Sequence, residues 1–174
     1  PEGARGSESI RSFGFSGLLL PIFAAAETVE AVTGFESRVW IAHAARVLQI
    51  AMTLGLIAVT ARIAGALGGR GAGYAAGALL MASPIVLQWG VSPVSGIAAG
   101  LLIALALELL VVDDGQYTPR RRGWLAGLGL GGAFMMAYQT ILVVVPIFLL
   151  IFLRRRARPI VTPALVVAGV AVCV

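Results

Sequence analysis

The feature that most constrains this chain is a series of long apolar runs separated by short polar connections. Helices of about 20 mostly apolar residues are long enough to cross a bilayer. The runs that come near or exceed this length are Val39 to Ala61, Gly73 to Trp89, Pro93 to Val112 and Trp124 to Leu153. Only 12% of the residues are charged, about half the share typical of soluble domains. The sequence therefore excludes an ordinary soluble domain and predicts an all-α, polytopic transmembrane helical bundle.

The residues before Val39 predict a separate region at the outer face. The stretch from Phe13 to Val32 carries Glu27 and Glu30 and suits a short interfacial or partly inserted helix better than a clean span. We therefore divide the chain into an outer-face loop with this helix (1–38) and a transmembrane bundle (39–174), with a further span beginning at about 160–174. The chain opens without Met and stops inside an apolar run, which predicts a fragment truncated at both ends.

The arginines predict the orientation of the bundle. All 13 basic residues are arginine, and nine lie in three short connections. These nine are Arg62, Arg70, Arg120, Arg121, Arg122, Arg154, Arg155, Arg156 and Arg158. Basic residues collect in cytoplasmic connections, so all three connections should share one side. That requires the run from Trp124 to Leu153 to turn back near Ala137 to Thr140, and a helix of that length would reach about 45 Å, beyond a hydrocarbon core of about 30 Å. A helical hairpin is therefore favoured over one long tilted helix.

Glycines spaced four residues apart predict close packing between helices. Small residues at this spacing let helix backbones approach in a membrane. The sets are Gly73 with Gly77, Gly96 with Gly100, and Gly123 with Gly127 and Gly131.

Polar residues in the first run give the candidate site. His43, Arg46 and Gln49 are three residues apart and are predicted to form one polar stripe near its outer end. Arg46 lies about 10 Å into the helix, where it either snorkels or pairs with a carboxylate such as Glu36, or binds a phosphate or substrate anion. His43 is more typical of a packed interfacial histidine than of a catalyst. Arg38 and Arg11, in the outer region, are further candidates for contact with substrate or lipid phosphate.

Other patterns carry no site. The loose glycine motif at Gly71 follows a predicted membrane helix and not a strand, so a dinucleotide site is rejected. Asp113 and Asp114 fit a solvated turn. The isoelectric point of about 10.7 is explained by arginines at the ends of apolar runs, so no nucleic-acid partner is predicted. The single cysteine, Cys173, cannot form a metal-binding or redox pair within the chain, and no metal site is predicted.

The order of these features resembles the amino-terminal membrane module of the GT-C glycosyltransferases. The resemblance rests on ARVLQIAMTLGLIAVTAR from Ala45, GALGGRGAGYAAGALLMASPIVLQWG from Gly65, and WLAGLGLGGAFMMAYQTILVVVPIFLLIFLRRR from Trp124. The group includes protein O-mannosyltransferases, lipid A aminoarabinose transferases and the mannosyltransferases of lipid-linked oligosaccharide and glycosylphosphatidylinositol assembly. The IRS at Ile10 in the outer region is similar to the last of these.

The resemblance implies transfer of a hexose or pentose from a dolichyl- or undecaprenyl-phosphate carrier to a protein, lipid or glycan acceptor on the outer or luminal face. It implies a catalytic acid before Pro1, so no catalytic residue is assigned in this chain. Arg46 corresponds to the arginine that opens the span after the outer loop. The stretch from Gly131 to Tyr138 corresponds to a glycine-rich turn often written GLAFLTKY, whose lysine is replaced here by Ala137. The expected partners are membrane lipid, the lipid-linked sugar donor and the acceptor. No cofactor is identified, and divalent-metal dependence stays open.

Two other functions remain open on the sequence alone. A transporter or permease fragment is the first alternative, because broken helices are also characteristic of transporters. A membrane scaffold or assembly subunit is the second. The absence of an obvious internal repeat and the concentration of polar residues at the outer face favour the transferase. The predicted location is a multi-pass membrane protein, in a prokaryotic plasma membrane rather than the endoplasmic reticulum.

Overall fold

The described part of the chain is a bundle of α-helices. The computed structural model describes residues 13–34, 37–90, 95–112, 115, 117–137, 140, 142, 145–146 and 149. Its helices are α1 (Phe13–Thr33), α2 (Ser37–Gly68), α3 (Arg70–Ala82), α4 (Pro84–Gly90), α5 (Ser95–Val111) and α6 (Pro119–Met136). No strand occurs within these ranges. The predicted all-α class is confirmed.

Helix α2 is longer than the run that predicted it. It begins at Ser37 and continues through Arg62 to Gly68, since nothing in ARIAGALG breaks a helix before the glycines. Gly69 then turns the chain with φ 82 and ψ 174, a backbone conformation that only glycine adopts readily. This single residue joins α2 to α3 as an antiparallel pair.

The predicted run from Gly73 to Trp89 forms two helices. Helix α3 ends at Ala82, Ser83 is extended with ψ 118, and Pro84 begins α4. The residue before a proline is driven away from the helical region by the proline ring, and proline itself suits a first helical position. The run is therefore two helices and not one, and its assignment as a membrane span stays a prediction.

Helix α6 ends where the sequence predicted a turn. Ala137 adopts an extended conformation with φ −152, and its N–H still donates to the carbonyl of Ala133. The second arm of the predicted hairpin lies largely outside the described residues, as do residues 1–12 and the region from 160 to 174. The hairpin therefore stays a prediction.

Contacts between named residues fix the helix directions. The site of a Cβ on Gly55 lies 3.4 Å from Leu101, and Arg62 contacts Glu108, so α2 and α5 run parallel. A Cβ on Gly132 would lie 3.3 Å from Leu102, whereas Arg122 bonds to Leu109, so α6 runs antiparallel to α5. The ends of α2 and α5 and the beginnings of α3 and α6 therefore share one end of the bundle. We call this end, which carries Arg62, Arg70, Arg120, Arg121 and Arg122, the arginine end.

The bundle interior consists mainly of small side chains. Leu130 and Gln49 are its largest fully buried side chains, and alanines contribute most of the rest. The fully or nearly fully buried alanines are Ala98, Ala99, Ala106, Ala126 and Ala133. Because the interior is made of alanine and glycine, the helix backbones lie close together, while many large apolar side chains remain on the outside.

By length and composition, one helix in the described ranges passes as a membrane span. It comprises Val39–Gly68, and Gly96–Val111 is a shorter apolar helix. The apolar residues of α3 and α4 are divided by Ser83, and α6 begins with three arginines. The polytopic part of the predicted fold therefore belongs to the proposal below.

Candidate functional site

An apolar groove lies between α1 and the beginning of α2. It encloses about 300 Å³ and is lined by Pro21, Ile22, Ala25, Ala26, Val29, Trp40 and Ala44. The small side chains of Ala25 and Ala44 leave space between the two helices, and the half-exposed indole of Trp40 forms part of the rim. A groove without polar lining side chains suits a hydrocarbon ligand.

Helix α1 and the first turns of α2 form this groove as a helical hairpin. Gly34 has φ 69, and its N–H donates to the carbonyl of Glu30 at 2.8 Å, which closes α1. Left-handed backbone after a helix is a common glycine-based helix end. Because α1 and the first turns of α2 line the same groove, the two helices lie side by side, and Ala26 of α1 is buried.

His43 and Arg46 are exposed on the same half of α2 as the groove, and neither lines it. At about 100° per residue, His43 is about 60° from Trp40 and about 100° from Ala44 around the helix, so it lies at the edge of the groove face. Arg46 is about 120° from Trp40 and about 160° from Ala44, so it lies on a different face of α2. A cation and an imidazole ring are thus at the same level along α2 as the apolar groove.

Two candidates cannot be placed by their side chains. Arg38 belongs to the first turn of α2, but its side chain lies outside the description. Arg11 lies outside the described residues altogether, as does Glu36, the carboxylate suggested for Arg46. The structure therefore places His43 and Arg46 on the same half of α2 as the groove but outside its lining, and the contributions of Arg38 and Arg11 stay predictions.

The predicted polar stripe is wrong at Gln49. His43 and Arg46 are exposed, whereas Gln49 is completely buried in the bundle. A spacing of three residues advances about 300° around a helix, so three such positions spread over about 120° and do not share one face. Gln49 belongs to the interior, together with Ala45 on the same side of α2.

Thr53 is a second buried polar residue of α2, one turn along the helix from Gln49. Its hydroxyl donates to the carbonyl of Gln49 at 2.9 Å and lies 3.3 Å from the carbonyl of Gly90 in α4. A Cβ at Gly90 would lie 3.0 Å from the Thr53 methyl carbon. The glycine therefore allows the end of α4 to approach α2. The sequence analysis did not identify this contact, because neither residue belongs to a recognisable motif.

Arg122 is the second feature that sequence reasoning missed. It was grouped with its neighbours as a cytoplasmic arginine, yet it is only 4% exposed. Its Nε donates to the carbonyl of Leu109 at 2.8 Å and its Nη2 donates to the carbonyl of Val112. Both acceptors are at the end of α5, where carbonyls lack helical partners and the helix dipole favours a cation. Its spacing from Ala126 gave no signal in the sequence, because the burial of Ala126 is itself known only from the structure.

An ion pair joins α2 to α5 at the same end. The Nε atom of Arg62 lies 2.9 Å from Oε1 of Glu108, and the arginine is largely exposed while the carboxylate is largely buried. Glu108 therefore pairs with Arg62 inside the contact between these two helices. Together with Arg122, this pair gives the arginine end a structural function as well as a charge.

The described residues contain no group of three or more histidine, cysteine, aspartate or glutamate side chains placed to hold a metal. His43 and Arg46 are better suited to an anion than to a metal ion, since arginine binds phosphate oxygens through fixed N–H groups.

Comparison with known proteins identifies no relative. No family model, curated protein or solved structure matches the chain.

Proposed function

We propose that this chain is part of a polytopic membrane glycosyltransferase of the GT-C type. In this proposal it takes a sugar from a polyprenyl-phosphate carrier and transfers it on the outer or luminal face. The observation that carries the proposal is an apolar groove lined by Trp40 and Ala44 on the same half of α2 as the exposed His43 and Arg46, neither of which lines it. A lipid-linked phosphate needs both an apolar surface and a cation, and this region offers them together.

The helix directions support an outer position for the groove. The arginine end lies at the opposite end of α2 from the groove, as the contact between Arg62 and Glu108 requires. If basic residues mark the cytoplasmic side, the groove opens near the outer headgroup level. There the hydrocarbon chain would lie between α1 and α2 while the phosphate contacts Arg46, with His43 and Arg38 as further contacts.

Arg46 would act electrostatically. In an inverting transfer the acceptor oxygen attacks the anomeric carbon as the bond to the carrier phosphate breaks, which leaves the negative charge on that phosphate. A cation held beside it stabilises the charge as it develops. The acid that removes the acceptor proton is expected outside this chain, so the role proposed for Arg46 is binding and leaving-group stabilisation.

Fluorescence of Trp40 tests the binding step, because its indole lines the groove. The measurement is made in detergent with Trp89 and Trp124 replaced by Phe. Undecaprenyl phosphate should change the Trp40 emission at a lower concentration than undecaprenol does. Arg46→Ala should weaken phosphate binding about tenfold, as expected for a lost charge-assisted hydrogen bond, and should leave undecaprenol binding unchanged. Equal affinities for both lipids in the parent protein would contradict the proposal.

A transporter is the second candidate, and the helix break at Ser83 favours it. Transporters build substrate sites from discontinuous helices near the middle of the membrane, and α3 and α4 form such a pair. Substrate-dependent uptake into proteoliposomes, lost when Gly90 or Thr53 is altered but retained in Arg46→Ala, would support transport over transfer.

A further inference from the structure

The arginine end carries a regular arrangement that the transferase proposal does not use. Helices α3 and α6 both begin at this end and run in the same direction. In each, an exposed arginine in the first turn is followed four residues later by an exposed aromatic side chain. The pairs are Arg70 with Tyr74 and Arg120 with Trp124.

Residues four apart lie on one face of a helix, about 6 Å apart along its axis. Each helix therefore presents a cation at the edge of the bundle and an aromatic ring one turn deeper. Tyr74 is 78% exposed and Trp124 is 42% exposed, so neither ring is part of the interior. An outward aromatic layer next to a cationic layer is the arrangement that proteins use at the boundary between lipid tails and headgroups.

Three arginines at this end are available to an external anion. Arg62 is paired with Glu108, and Arg122 is buried against the end of α5. Arg70, Arg120 and Arg121 are exposed, and the structure gives none of them a carboxylate partner among the residues it describes.

Contacts at the beginning of α6 set the direction in which Arg121 leaves the helix. The hydroxyl of Thr118 accepts a hydrogen bond from the Arg121 N–H, which caps the helix, and the Arg121 guanidinium lies 5.1 Å from the ring centre of Tyr117. Because Arg122 points inward and is held by α5, Arg120 and Arg121 must project outward from the same turn. Their position is thus set by the fold and not only by their long side chains.

We propose that the arginine end is a binding surface for anionic phospholipid headgroups, with Arg70, Arg120 and Arg121 contacting the phosphates. Nucleic acid is less suited to this surface, because large apolar side chains border the cations. Leu67 is 72% exposed and Leu128 is 60% exposed, within two turns of the arginines. These side chains would remain in water beside a nucleic acid but would enter the hydrocarbon region beside a lipid headgroup.

The inference rests on the membrane placement in the proposed function and is independent of sugar transfer. It is tested by fluorescence quenching of the whole chain in vesicles, with Trp40 and Trp89 replaced by Phe so that Trp124 is the reporter. Brominated phosphatidylcholine or brominated phosphatidylglycerol is mixed with the unbrominated forms, and the relative affinity of the two lipids for the surface near Trp124 is measured. Phosphatidylglycerol should bind about 25-fold more tightly than phosphatidylcholine, about fivefold for each of the two arginines near Trp124, and added salt should reduce the preference.

Arginine variants locate the preference. Arg120→Gln and Arg121→Gln should each lower the ratio of affinities about fivefold when the headgroup is in contact, and the double variant should bring it near one. Arg120→Lys with Arg121→Lys keeps the charges and should retain most of the preference. The same series at Arg70 is read out by brominated-lipid quenching in the Tyr74→Trp variant, with Trp124 also replaced by Phe.

Each other outcome contradicts the inference in a distinguishable way. Quenching of Trp124 by both lipids with equal affinity would leave the membrane placement standing and overturn the anionic-lipid site. No quenching by either lipid would overturn the membrane placement and with it the proposed function. Loss of the preference on adding inorganic phosphate at low concentration would identify a free-anion site, and loss on adding RNA at constant ionic strength would identify a nucleic-acid surface.

Discussion

Arg122 shows how one residue can hold two helices together. Its guanidinium is buried and bonds to the carbonyls of Leu109 and Val112, which the end of α5 would otherwise leave without partners. Its neighbours in sequence, Arg120 and Arg121, are exposed. Identical side chains in adjacent positions therefore have different functions, and the direction in which each leaves the helix decides which.

Replacing Arg122 should destabilise the bundle far more than replacing its neighbour. Arg122→Met keeps much of the aliphatic volume but removes two hydrogen bonds from a charged donor, so the free energy of unfolding should fall by about 2–4 kcal/mol. Arg120→Met, at an exposed position, should change it by less than about 0.5 kcal/mol. Unfolding in mixed micelles with increasing denaturing detergent, followed by circular dichroism, measures both. Equal losses would show that Arg122 is not the structural contact described here.

The contact of Thr53 with Gly90 makes a second prediction at this scale. A Cβ at position 90 would lie 3.0 Å from Thr53 Cγ2 and 3.1 Å from its Oγ1. Gly90→Ala should therefore cost about 1–3 kcal/mol by overpacking. Thr53→Ala removes both close atoms, so the double variant should lose less than the sum of the two single variants. A double-mutant cycle on unfolding free energy measures this coupling, and strict additivity would contradict it.

Helices α2 and α3 pack closely because the glycines at their contact have no side chains. A Cβ at Gly73 would lie 2.8 Å from the carbonyl oxygen of Ala61 and 3.3 Å from the Cα of Gly65. These are backbone atoms, which cannot move aside without separating the helices. The predicted close packing at Gly73 and Gly77 is confirmed, since both are buried against α2.

Two glycines in α3 give a matched test of this packing. Gly73→Ala should destabilise the protein by about 2 kcal/mol or more, because the two helices must move apart. Gly71→Ala places a methyl where nothing lies within 4 Å, so the better helix propensity of alanine should stabilise by up to about 1 kcal/mol. The same unfolding assay distinguishes them. Similar effects of both substitutions would mean that α2 and α3 are not in backbone contact.

The sequence predicted the presence of most helices but not all of their ends. The apolar runs predicted α2 and α5, because each of these helices coincides with an almost unbroken apolar stretch. The break at Ser83 was missed because the apolar run around Pro84 was read as continuous. Glycine spacing predicted the packing of Gly73 and the burial of Gly123, Gly127 and Gly131, but not the environment of Gly96, which has nothing within 4 Å. Spacing identifies a possible contact surface, and the neighbouring helix decides whether it is used.

The candidate site was less predictable than the fold. His43 and Arg46 were identified from their polarity within an apolar run, and both are exposed near the groove. The groove itself depends on how α1 folds back onto α2, which is a tertiary contact with no sequence motif. For the same reason the burial of Gln49 and Arg122 could be established only once neighbouring helices were placed.

For the whole molecule, the account predicts that the two ends of the bundle lie on opposite sides of a membrane. Helices α2 and α5 run parallel to each other, α3 runs antiparallel to α2, and α6 runs antiparallel to α5. The beginning of α2 and the arginine end therefore lie at opposite ends of the bundle. With Cys173 replaced by Ser, Glu30→Cys should react with a membrane-impermeant maleimide in right-side-out vesicles. Arg120→Cys should react only after the vesicles are opened. Reaction of both in sealed vesicles would contradict the proposed orientation.

Sugar transfer is measured with the protein expressed from its whole reading frame in native membranes, which supply the acceptor. A panel of polyprenyl-phosphate donors carrying radiolabelled sugars is added, and label is followed from donor to acceptor. The account predicts transfer from one class of donor, reduced about tenfold or more by Arg46→Ala and unaffected by Arg70→Gln. If no donor in the panel is consumed by a correctly folded protein, the glycosyltransferase proposal is contradicted and the transporter becomes the better explanation.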